Sequence, residues 1–338
     1  MTAVMSLLDR GRAQVVPALQ AAVDRLDPAS RLQASYHLGW CEADGTPIPG
    51  GGGGGKAIRP ALALLSAEAV GADVHTGLPG AVAVELVHNF SLIHDDLLDG
   101  DVERRHRRTV WSLWGSAAAI LSGDAMLALA HEVLLESPAP GAARAGWLLA
   151  STTRELTRGQ IQDIAFEKRQ DVTLDECIDM AGGKTGSLLA ASSAIGAVLA
   201  GAPEATIAAL TTFGTEFGLA FQLIDDVLGI WGDPAVTGKS VYSDLHARKK
   251  SLPVTYALAD TRYGERIARF LATEDELDLD SIAAIADTLA TAGARDWAVA
   301  EAGRRMKLAG EALDTVDLCP QPREDMMALA RFVVERDS

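Results

Sequence analysis

Most of this chain consists of long segments in which apolar residues recur at helical spacing. They span residues 59–70, 81–99, 116–135, 143–167, 184–200 and 211–231, and segments rich in glycine or proline separate several of them. Strand-like alternation is rare, and no βαβ units and no fixed repeat period are visible. The pattern predicts an all-α fold, a helical bundle with its functional site between helices.

Composition narrows the possible functions. Of the 338 residues, 48% are hydrophobic and 22% charged, which is typical of a globular protein. The formal net charge of −16 differs from the basic footprint of nucleic-acid-binding proteins, so no nucleic-acid partner is expected. An anionic ligand would need local positive charge or bound cations. Cys41, Cys177 and Cys319 fit neither a disulfide framework nor a zinc site, which favours a cytoplasmic location.

The N-terminus lacks the features of a signal peptide. Residues 185–203 carry no charge but are rich in Ser, Gly and Ala, which favours a buried helix, and no transmembrane segment is expected. Six glycines at residues 50–55 form either a flexible linker or a backbone stretch that approaches a ligand closely. We therefore expect an N-terminal helix and glycine-rich loop over residues 1–55 and a single all-helical domain over residues 56–338.

Aspartates cluster at the end of an apolar helical segment. Asp95 and Asp99 are four residues apart and share one helix face, with Asp96 rotated by about 100°. Carboxylates at this spacing repel each other, whereas Mg²⁺ binds through one or two carboxylates plus substrate phosphates. Alone, this cluster is equally well explained as a solvated acidic helix face.

A second cluster ends another apolar segment. It contains Asp225 and Asp226, and Gly229 stands where the first cluster has Asp99. Two Asp–Asp pairs on apolar helices are hard to explain structurally. If they face each other across a bundle, they form a cage for several metal ions and one polyphosphate.

Basic residues flank both clusters. Any one of them is typical of a solvated surface, but in an acidic protein the set indicates phosphate binding. They are Lys56 and Arg59 before the first cluster, Arg104, Arg105, Arg107 and Arg108 after it, Lys184 between the clusters, and Lys239, Arg248, Lys249 and Lys250 after the second.

These motifs resemble, in order and spacing, those of the trans-isoprenyl diphosphate synthases, the polyprenyl synthetase family, from Gly55 onward. The matching positions are Lys56, Arg59 and Pro60 (GKxxRP), His88, the first aspartate motif at Asp95, Asp96 and Asp99, the arginine pair, Lys184-Thr185-Gly186, and Gln222, Asp225 and Asp226 of the second motif. The resemblance implies antiparallel helices around a deep apolar cavity, usually in a homodimer, and a catalytic role for residues 56–338.

The resemblance also implies residue roles. Lys56, Arg59, His88 and Arg105 would bind the diphosphate of isopentenyl diphosphate, and Arg104, Lys239 and Lys249 an allylic diphosphate. The metal ligands for three Mg²⁺ would be Asp95, Asp96, Asp99, Asp225 and Asp226. Lys184, Thr185 and Gln222 complete the predicted catalytic set, although Thr185 and Gln222 are equally well explained as helix-packing polar residues.

The implied reaction is a head-to-tail condensation. The allylic C–O bond ionises, the double bond of isopentenyl diphosphate attacks the cation, and a proton is lost to the departing pyrophosphate. Metals and cationic side chains stabilise the leaving group, and apolar walls exclude water. Two alternatives share the fold. The isopentenyl diphosphate set argues against a terpene cyclase, and the retained aspartates argue against a non-catalytic partner subunit.

A pair of residues that precedes the first motif is expected to set the product length. By resemblance, Phe90 and Ser91 form part of the cavity floor. Ser91 leaves room for a growing chain, whereas Phe90 lies about 140° from Asp95 on an ideal helix. In the family that these motifs resemble, an aromatic residue followed by a small one, without an insertion in the motif, implies geranylgeranyl diphosphate as the product. Farnesyl diphosphate ranks second and longer chains third, and Phe90 is alternatively plain core packing.

The chain departs from the family pattern in two places. Gly229 replaces the last aspartate of the second motif, and His106 and Arg108 stand where Gly and Pro are common. We expect activity to survive the first change if Asp225 holds the metal, with Asp233 as a candidate substitute ligand.

Overall fold

The computed structural model describes residues 2–51, 57–233, 241–273 and 278–335. These residues are predominantly helical, and the strands among them are β1 (Glu103–Arg104) and β2 (Arg107–Arg108), which pair antiparallel. The predicted all-α fold is therefore confirmed. Lys56, Lys239 and most of the glycine run lie outside the described residues, and the predicted boundary at residue 55 stays a prediction.

Sixteen α-helices and one π-helix are numbered here in chain order over the described residues. They are α1 (Thr2–Val23), α2 (Pro28–His37), α3 (Ile58–Ala69), α4 (Val74–Leu98), α5 (Val110–Trp114), α6 (Ser116–Leu135), α7 (Ala142–Lys168), α8 (Leu174–Ala181), the π-helix (Gly182–Gly186), α9 (Ser187–Leu199), α10 (Glu204–Trp231), α11 (Ser243–His246), α12 (Leu252–Leu258), α13 (Gly264–Ala272), α14 (Leu279–Thr291), α15 (Ala294–Leu313) and α16 (Pro320–Val334).

Local sequence explains where several helices begin. Asp27 accepts hydrogen bonds from the backbone of Ala29 and Ser30 at the start of α2, with Pro28 in the first turn. In α8, Thr173 and Glu176 form a capping box, in which each side chain accepts a hydrogen bond from the backbone of the other residue. These caps satisfy backbone donors that have no partner within the helix.

The chain divides into two compact units. Unit 1 comprises residues 1–153, 191–211 and 315–329, and unit 2 comprises residues 154–190, 212–314 and 330–338. The first aspartate cluster lies in unit 1 and the second in unit 2. Each unit is described by itself below.

Helix α4 is the central element of unit 1. Helices α1, α3 and α6 pack against it, and its buried residues lie on all sides of the helix. Small residues allow close packing elsewhere in this unit. Gly196 approaches α3 so closely that a Cβ there would lie 2.2 Å from the Ala63 carbonyl oxygen, and its N–H donates to Ser66 Oγ at 2.9 Å. The tight packing fixes the position of α4 and of the aspartates at its end.

Unit 2 has its own apolar core, formed by the end of α10 and by α11 to α15. Ile230, Ile267 and Leu289 are fully buried within it, and Tyr256 and Trp231 pack against its edge. This core includes Leu245 of α11, and Tyr242 packs against it, so it supports α11, which follows the second aspartate cluster in the sequence.

Helices α6 and α10 are long and apolar enough to cross a membrane by length and composition alone. Most of the apolar window of α10 is buried, as in a core helix, and less of that of α6. The expected absence of a transmembrane segment stays a prediction.

Candidate active site

The first aspartate cluster lies at the C-terminal end of α4. Asp99 caps the helix, and its backbone N–H donates to the Asp95 carbonyl at 2.8 Å, so the two residues are one turn apart as predicted. Asp99 is exposed and Asp95 partly exposed, whereas Asp96 is only 1% exposed. The three carboxylates therefore lie in different environments despite their proximity in sequence.

Asp96 is paired with Arg104. The Arg104 Nε donates to Asp96 Oδ1 at 2.6 Å, and Asp96 Oδ2 is buried without a hydrogen-bond partner among the described residues. Burial raises the pKa of Asp96 to about 6, and the charge and hydrogen bond of Arg104 offset only part of that effect. A predicted metal ligand and a predicted diphosphate contact thus bind each other here.

The arginine run forms the β1–β2 hairpin. Its two turn residues, Arg105 and His106, both adopt left-handed backbone conformations with φ of 53° and 61°. Such a turn favours glycine, which explains why Gly is common where this chain has His106. Arg107 holds the hairpin to the N-terminal segment by donating to the carbonyls of Tyr36 and Cys41.

Arg59 and His88, both predicted to bind isopentenyl diphosphate, are neighbours. The Arg59 Nη1 lies 3.4 Å from His88 Nε2, and the ring nitrogen accepts because a guanidinium can only donate. Burial lowers the pKa of His88 well below its ordinary value, and the charges of Arg59 and Arg105 lower it further. The ring is therefore neutral at physiological pH, with its proton on Nδ1.

The two predicted chain-length residues have different contacts. The Phe90 ring packs edge-on against His94 at 5.2 Å, and His94 Nε2 lies 3.1 Å from the Ile120 carbonyl in α6. Ser91 is 9% exposed and its Oγ donates to the His88 carbonyl. Phe90 thus belongs to the α4–α6 contact, consistent with the core-packing alternative, while Ser91 lies one turn before Asp95.

In unit 2, the predicted Lys184 and Thr185 lie in the π-helix between α8 and α9. Gly159 of α7 makes this possible, because a Cβ there would lie 2.2 Å from the Lys184 backbone nitrogen. The Lys184 Nζ donates to Asp163 Oδ2 at 2.6 Å, so the lysine is held by a carboxylate one turn further along α7. π-Helical turns of this kind are frequent at functional sites.

A chain of hydrogen bonds runs from the π-helix to Asp226. Thr185 Oγ1 donates to Gln222 Oε1 at 2.7 Å, and Gln222 Nε2 donates to Asp226 Oδ1 at 2.7 Å. The backbone N–H of Leu252 donates to Asp226 Oδ2 at 2.9 Å. Burial raises the pKa of Asp226 to about 7, although the positive charge of Lys249 offsets part of the effect of burial. Both oxygens of Asp226 are therefore engaged within the protein.

Lys249 lines the same cavity as Asp226 and is surrounded by negative charge. Burial alone would lower its pKa, but the negative charges of Asp226, Asp163, Asp244 and Asp225 outweigh burial and raise it. A small cavity of about 30 Å³ brings five of the predicted residues together, with Asp163 beside them. The five are Lys184, Thr185, Gln222, Asp226 and Lys249.

Asp244 fills the space beside Gly229. A Cβ at residue 229 would lie 2.3 Å from Asp244 Oδ2, so this carboxylate stands where the last aspartate of the second motif would begin. Sequence reasoning missed both Asp244 and Asp163. A glycine in the interior of α7, at residue 159, was the available signal for a close approach near Asp163. No comparable signal marks Asp244, which lies in a four-residue helix.

Comparison with known proteins agrees with these motifs. Residues 52–289 match the polyprenyl synthetase family. The chain belongs to this family. A (2E,6E)-farnesyl diphosphate synthase from Mycobacterium tuberculosis is 51% identical over 328 residues, covering 96% of this chain and 91% of that protein. A geranylgeranyl diphosphate synthase from the same bacterium is 47% identical over 254 residues, covering 75% and 72%.

Solved structures show the same relationship for this polyprenyl synthetase. A polyprenyl synthetase from Streptomyces coelicolor A3(2) superposes with a TM-score of 0.94 at 53% identity, covering 98% of this chain and 99% of that one. A geranylgeranyl pyrophosphate synthase from Corynebacterium glutamicum, complexed with isoprenyl diphosphate and magnesium, gives 0.81 at 25% identity, covering 98% and 99%. The protein is therefore a prenyltransferase, as the sequence predicts.

The relatives do not support the geranylgeranyl product, because the 51% identical relative bears the farnesyl name and the geranylgeranyl synthases are more distant. The family uses a divalent metal. Among the described residues, no three His, Cys, Asp or Glu side chains form a ready-made metal site. The orphaned Asp96 Oδ2 and the carboxylates around it nevertheless suit Mg²⁺, which takes part of its shell from phosphates.

Proposed function

We propose that this polyprenyl synthetase condenses isopentenyl diphosphate with an allylic diphosphate. In this reaction the allylic C–O bond breaks, a C–C bond forms to the double bond of isopentenyl diphosphate, and pyrophosphate and one proton leave. The observation that carries the proposal is the pairing of Arg104 with Asp96 beside Arg105. It places cationic groups for diphosphates directly against an aspartate of the first motif.

Arg59, His88 and Arg105 would bind the diphosphate of isopentenyl diphosphate, with Lys56 completing the set. Neutral His88 accepts a hydrogen bond from Arg59 through Nε2, and its Nδ1–H would donate to a phosphate oxygen. Arg104 and the lysines Lys184 and Lys249 would contact the allylic diphosphate, together with Lys239. Asp96 holds Arg104 and Asp163 holds Lys184, while the negative charges of several aspartates act on Lys249. A bound diphosphate would compete with these carboxylates for the cations.

Asp95, Asp96, Asp99 and Asp225 would hold three Mg²⁺ ions, the predicted number, with the unpartnered Oδ2 of Asp96 as one of the ligand atoms. When bound there, magnesium would supply positive charge against the negative charge that develops on the leaving pyrophosphate. Asp226 was also predicted as a ligand, but its two oxygens accept hydrogen bonds from Gln222 and Leu252. We therefore assign it the role of positioning Gln222 and the start of α12. That the two clusters face each other stays a prediction.

The relatives favour farnesyl diphosphate as the product. A geranylgeranyl product is the second candidate, because the small Ser91 lies one turn before Asp95 and leaves space along that face. Ser91→Phe should then shorten the product, whereas Phe90→Ala should leave its length unchanged because Phe90 packs on His94. The homodimer stays a proposal carried by the resemblance, and the cytoplasmic location stays one carried by the cysteine pattern.

A product assay tests the proposal. Purified protein is incubated with Mg²⁺, isopentenyl diphosphate and dimethylallyl, geranyl or farnesyl diphosphate, and the products are identified by mass spectrometry. Chain-extended diphosphates support the proposal, cyclic hydrocarbons support a terpene cyclase, and no turnover indicates a partner subunit. Asp95→Ala should lower turnover by orders of magnitude. Asp287→Ala, an exposed change on α14, serves as the control.

A further inference from the structure

Lys249 and Lys250 are adjacent in the sequence but have different surroundings in unit 2. Lys249 lines the cavity that contains Asp226, and the proposed function assigns it to the allylic diphosphate. Lys250 is only 6% exposed and lies outside the lining of that cavity. A lysine buried away from the substrate needs a partner of its own, because an unpaired charge is unfavourable in a protein interior.

The partner of Lys250 is the C-terminal end of α7. The Lys250 Nζ donates to the Phe166 carbonyl at 2.7 Å and to the Glu167 carbonyl at 3.3 Å. The last carbonyls of a helix have no partner within the helix, and they lie at the negative end of its dipole. The ammonium group of Lys250 therefore satisfies backbone acceptors that α7 leaves open, and the contact ties the chain at residue 250 to this helix.

The backbone around Lys250 is fixed at further points. Its carbonyl accepts a hydrogen bond from the Cys177 Sγ of α8 at 3.3 Å, and the Lys249 N–H donates to the Asp244 carbonyl at 2.8 Å. Arg248 precedes the two lysines in a left-handed conformation with φ of 49°, which is unfavourable for a residue with a side chain. The contacts of the neighbouring residues outweigh that cost, so the loss of one of them should move Lys249.

Helix α7 also holds the other lysine of this cavity. Asp163, one turn before Phe166, accepts a hydrogen bond from the Lys184 Nζ at 2.6 Å. One helix therefore contacts Lys184 through a carboxylate and the neighbour of Lys249 through its terminal carbonyls. Because successive turns of a helix have a fixed spacing, this arrangement lets α7 set the separation of the two cations.

We propose that Lys250 is a positioning residue, which holds Lys249 at the allylic diphosphate site by tying the chain to the C-terminal end of α7. The inference rests on the proposed function, which assigns Lys249 to that substrate. Lys250 itself contacts no substrate, because two carbonyls already bind its ammonium group outside the cavity. Its loss should weaken binding of the allylic substrate and leave the isopentenyl diphosphate site of unit 1 unchanged.

One substitution and a matched control test this role by calorimetric titration with each substrate and Mg²⁺, which also measures Kd in inactive variants. Lys250→Met keeps a long side chain but removes the ammonium group. Its Kd for geranyl diphosphate should rise about 10-fold, while its Kd for isopentenyl diphosphate stays within about twofold of wild type. Lys168→Met is the control, since Lys168 is exposed at the end of the same helix, and both Kd values should stay at wild type.

A double-mutant cycle distinguishes positioning of Lys249 from a general effect on the fold. Lys249→Met removes the ammonium group that Lys250 positions, so adding Lys250→Met should change Kd for geranyl diphosphate by less than about twofold. Independent effects of the two substitutions overturn the inference, as do equal rises of both Kd values or an unchanged Kd for geranyl diphosphate in Lys250→Met. If thermal unfolding shows that Lys250→Met is not folded, Lys250→Gln runs the same cycle, because its amide N–H can still donate to one carbonyl.

The product assay on the same wild-type preparation separates this inference from the proposed function. Chain extension by wild type together with independent effects in the cycle overturns the role of Lys250 and leaves the proposed function standing. A wild-type protein that extends no substrate overturns the proposed function instead, and the cycle still shows whether Lys249 and Lys250 act together.

Discussion

The carboxylate of Asp244 occupies the space that a side chain at residue 229 would need. Gly229 leaves that space open, and the Ser243 hydroxyl donates to the Gly229 carbonyl at 3.3 Å, which ties the short α11 to α10 at this point. The missing aspartate of the second motif is therefore compensated in space by a carboxylate from another segment.

Restoring the aspartate at residue 229 should consequently lower both the stability and the activity of the enzyme. In Gly229→Asp, the new Cβ would lie 2.3 Å from Asp244 Oδ2 and two like charges would meet, so we expect a loss of roughly 1–3 kcal/mol of stability and at least 10-fold in kcat/KM. Gly303→Asp in α15, where nothing lies within 4 Å, is the control for helix propensity. Thermal unfolding and steady-state kinetics measure both. Improved activity in Gly229→Asp would contradict the assignment of Asp244.

The adjacent aspartates of the second motif should respond differently to the same change. Asp225→Asn removes a proposed metal ligand, so turnover should fall by orders of magnitude while thermal stability stays close to wild type. In Asp226→Asn, the new amide N–H group must face another hydrogen-bond donor, either the Gln222 side-chain amide or the Leu252 backbone N–H. This variant should therefore lose about 1–3 kcal/mol of stability. Equal loss of stability in the two variants would argue against this division of roles.

At the scale of elements, the sequence predicts most of the helices that carry the motifs. The predicted helices at residues 59–70, 116–135 and 143–167 agree with α3, α6 and α7 within one residue at each end. The prediction rests on apolar spacing, which buried helices retain. The first motif was placed correctly at the end of α4 for the same reason.

The elements that the sequence did not predict depend on contacts distant in sequence. Residues 184–200 read as one helix, but they begin in a π-helix whose extra residue is accommodated by the close approach of Gly159. The β1–β2 hairpin places two left-handed residues without glycine, against local preference. The roles of Asp163 and Asp244 follow from such contacts, so spacing alone could not reveal them.

The π-helix gives a prediction of its own. In Gly159→Ala, the new methyl group would lie 2.2 Å from the Lys184 backbone nitrogen, so the π-helix must shift and carry Lys184 away from Asp163. We expect a loss of about 1–3 kcal/mol in unfolding free energy and a lower kcat. Gly182→Ala, at the start of the same π-helix, meets nothing within 4 Å and is the matched control. Wild-type kinetics in Gly159→Ala would show that the π-helix does not position Lys184.

For the whole molecule, charge sets the conditions under which an anionic substrate binds. A net charge of −16 repels polyphosphates at long range, and salt screens that repulsion beyond about 10 Å. Close to the site the sign reverses, because the four arginines within residues 104–108 line a cavity in unit 1, and Lys184 and Lys249 line the cavity in unit 2. Arg104, Lys184 and Lys249 among these cations lie near carboxylates that the diphosphate must displace or that metal must neutralise.

Metal and diphosphate should therefore bind together rather than separately. The described residues contain no group of three or more metal-binding side chains, so Mg²⁺ has too few protein ligands for tight binding until phosphate oxygens complete its shell. Excess EDTA should abolish turnover, and added Mg²⁺ should restore it. Calorimetry should show weak Mg²⁺ binding to the protein alone and much tighter binding when an allylic diphosphate is present. Asp95→Ala should lose this enhancement, and the control Asp287→Ala should keep it. Tight Mg²⁺ binding without diphosphate would instead mean that the protein holds a complete metal site of its own.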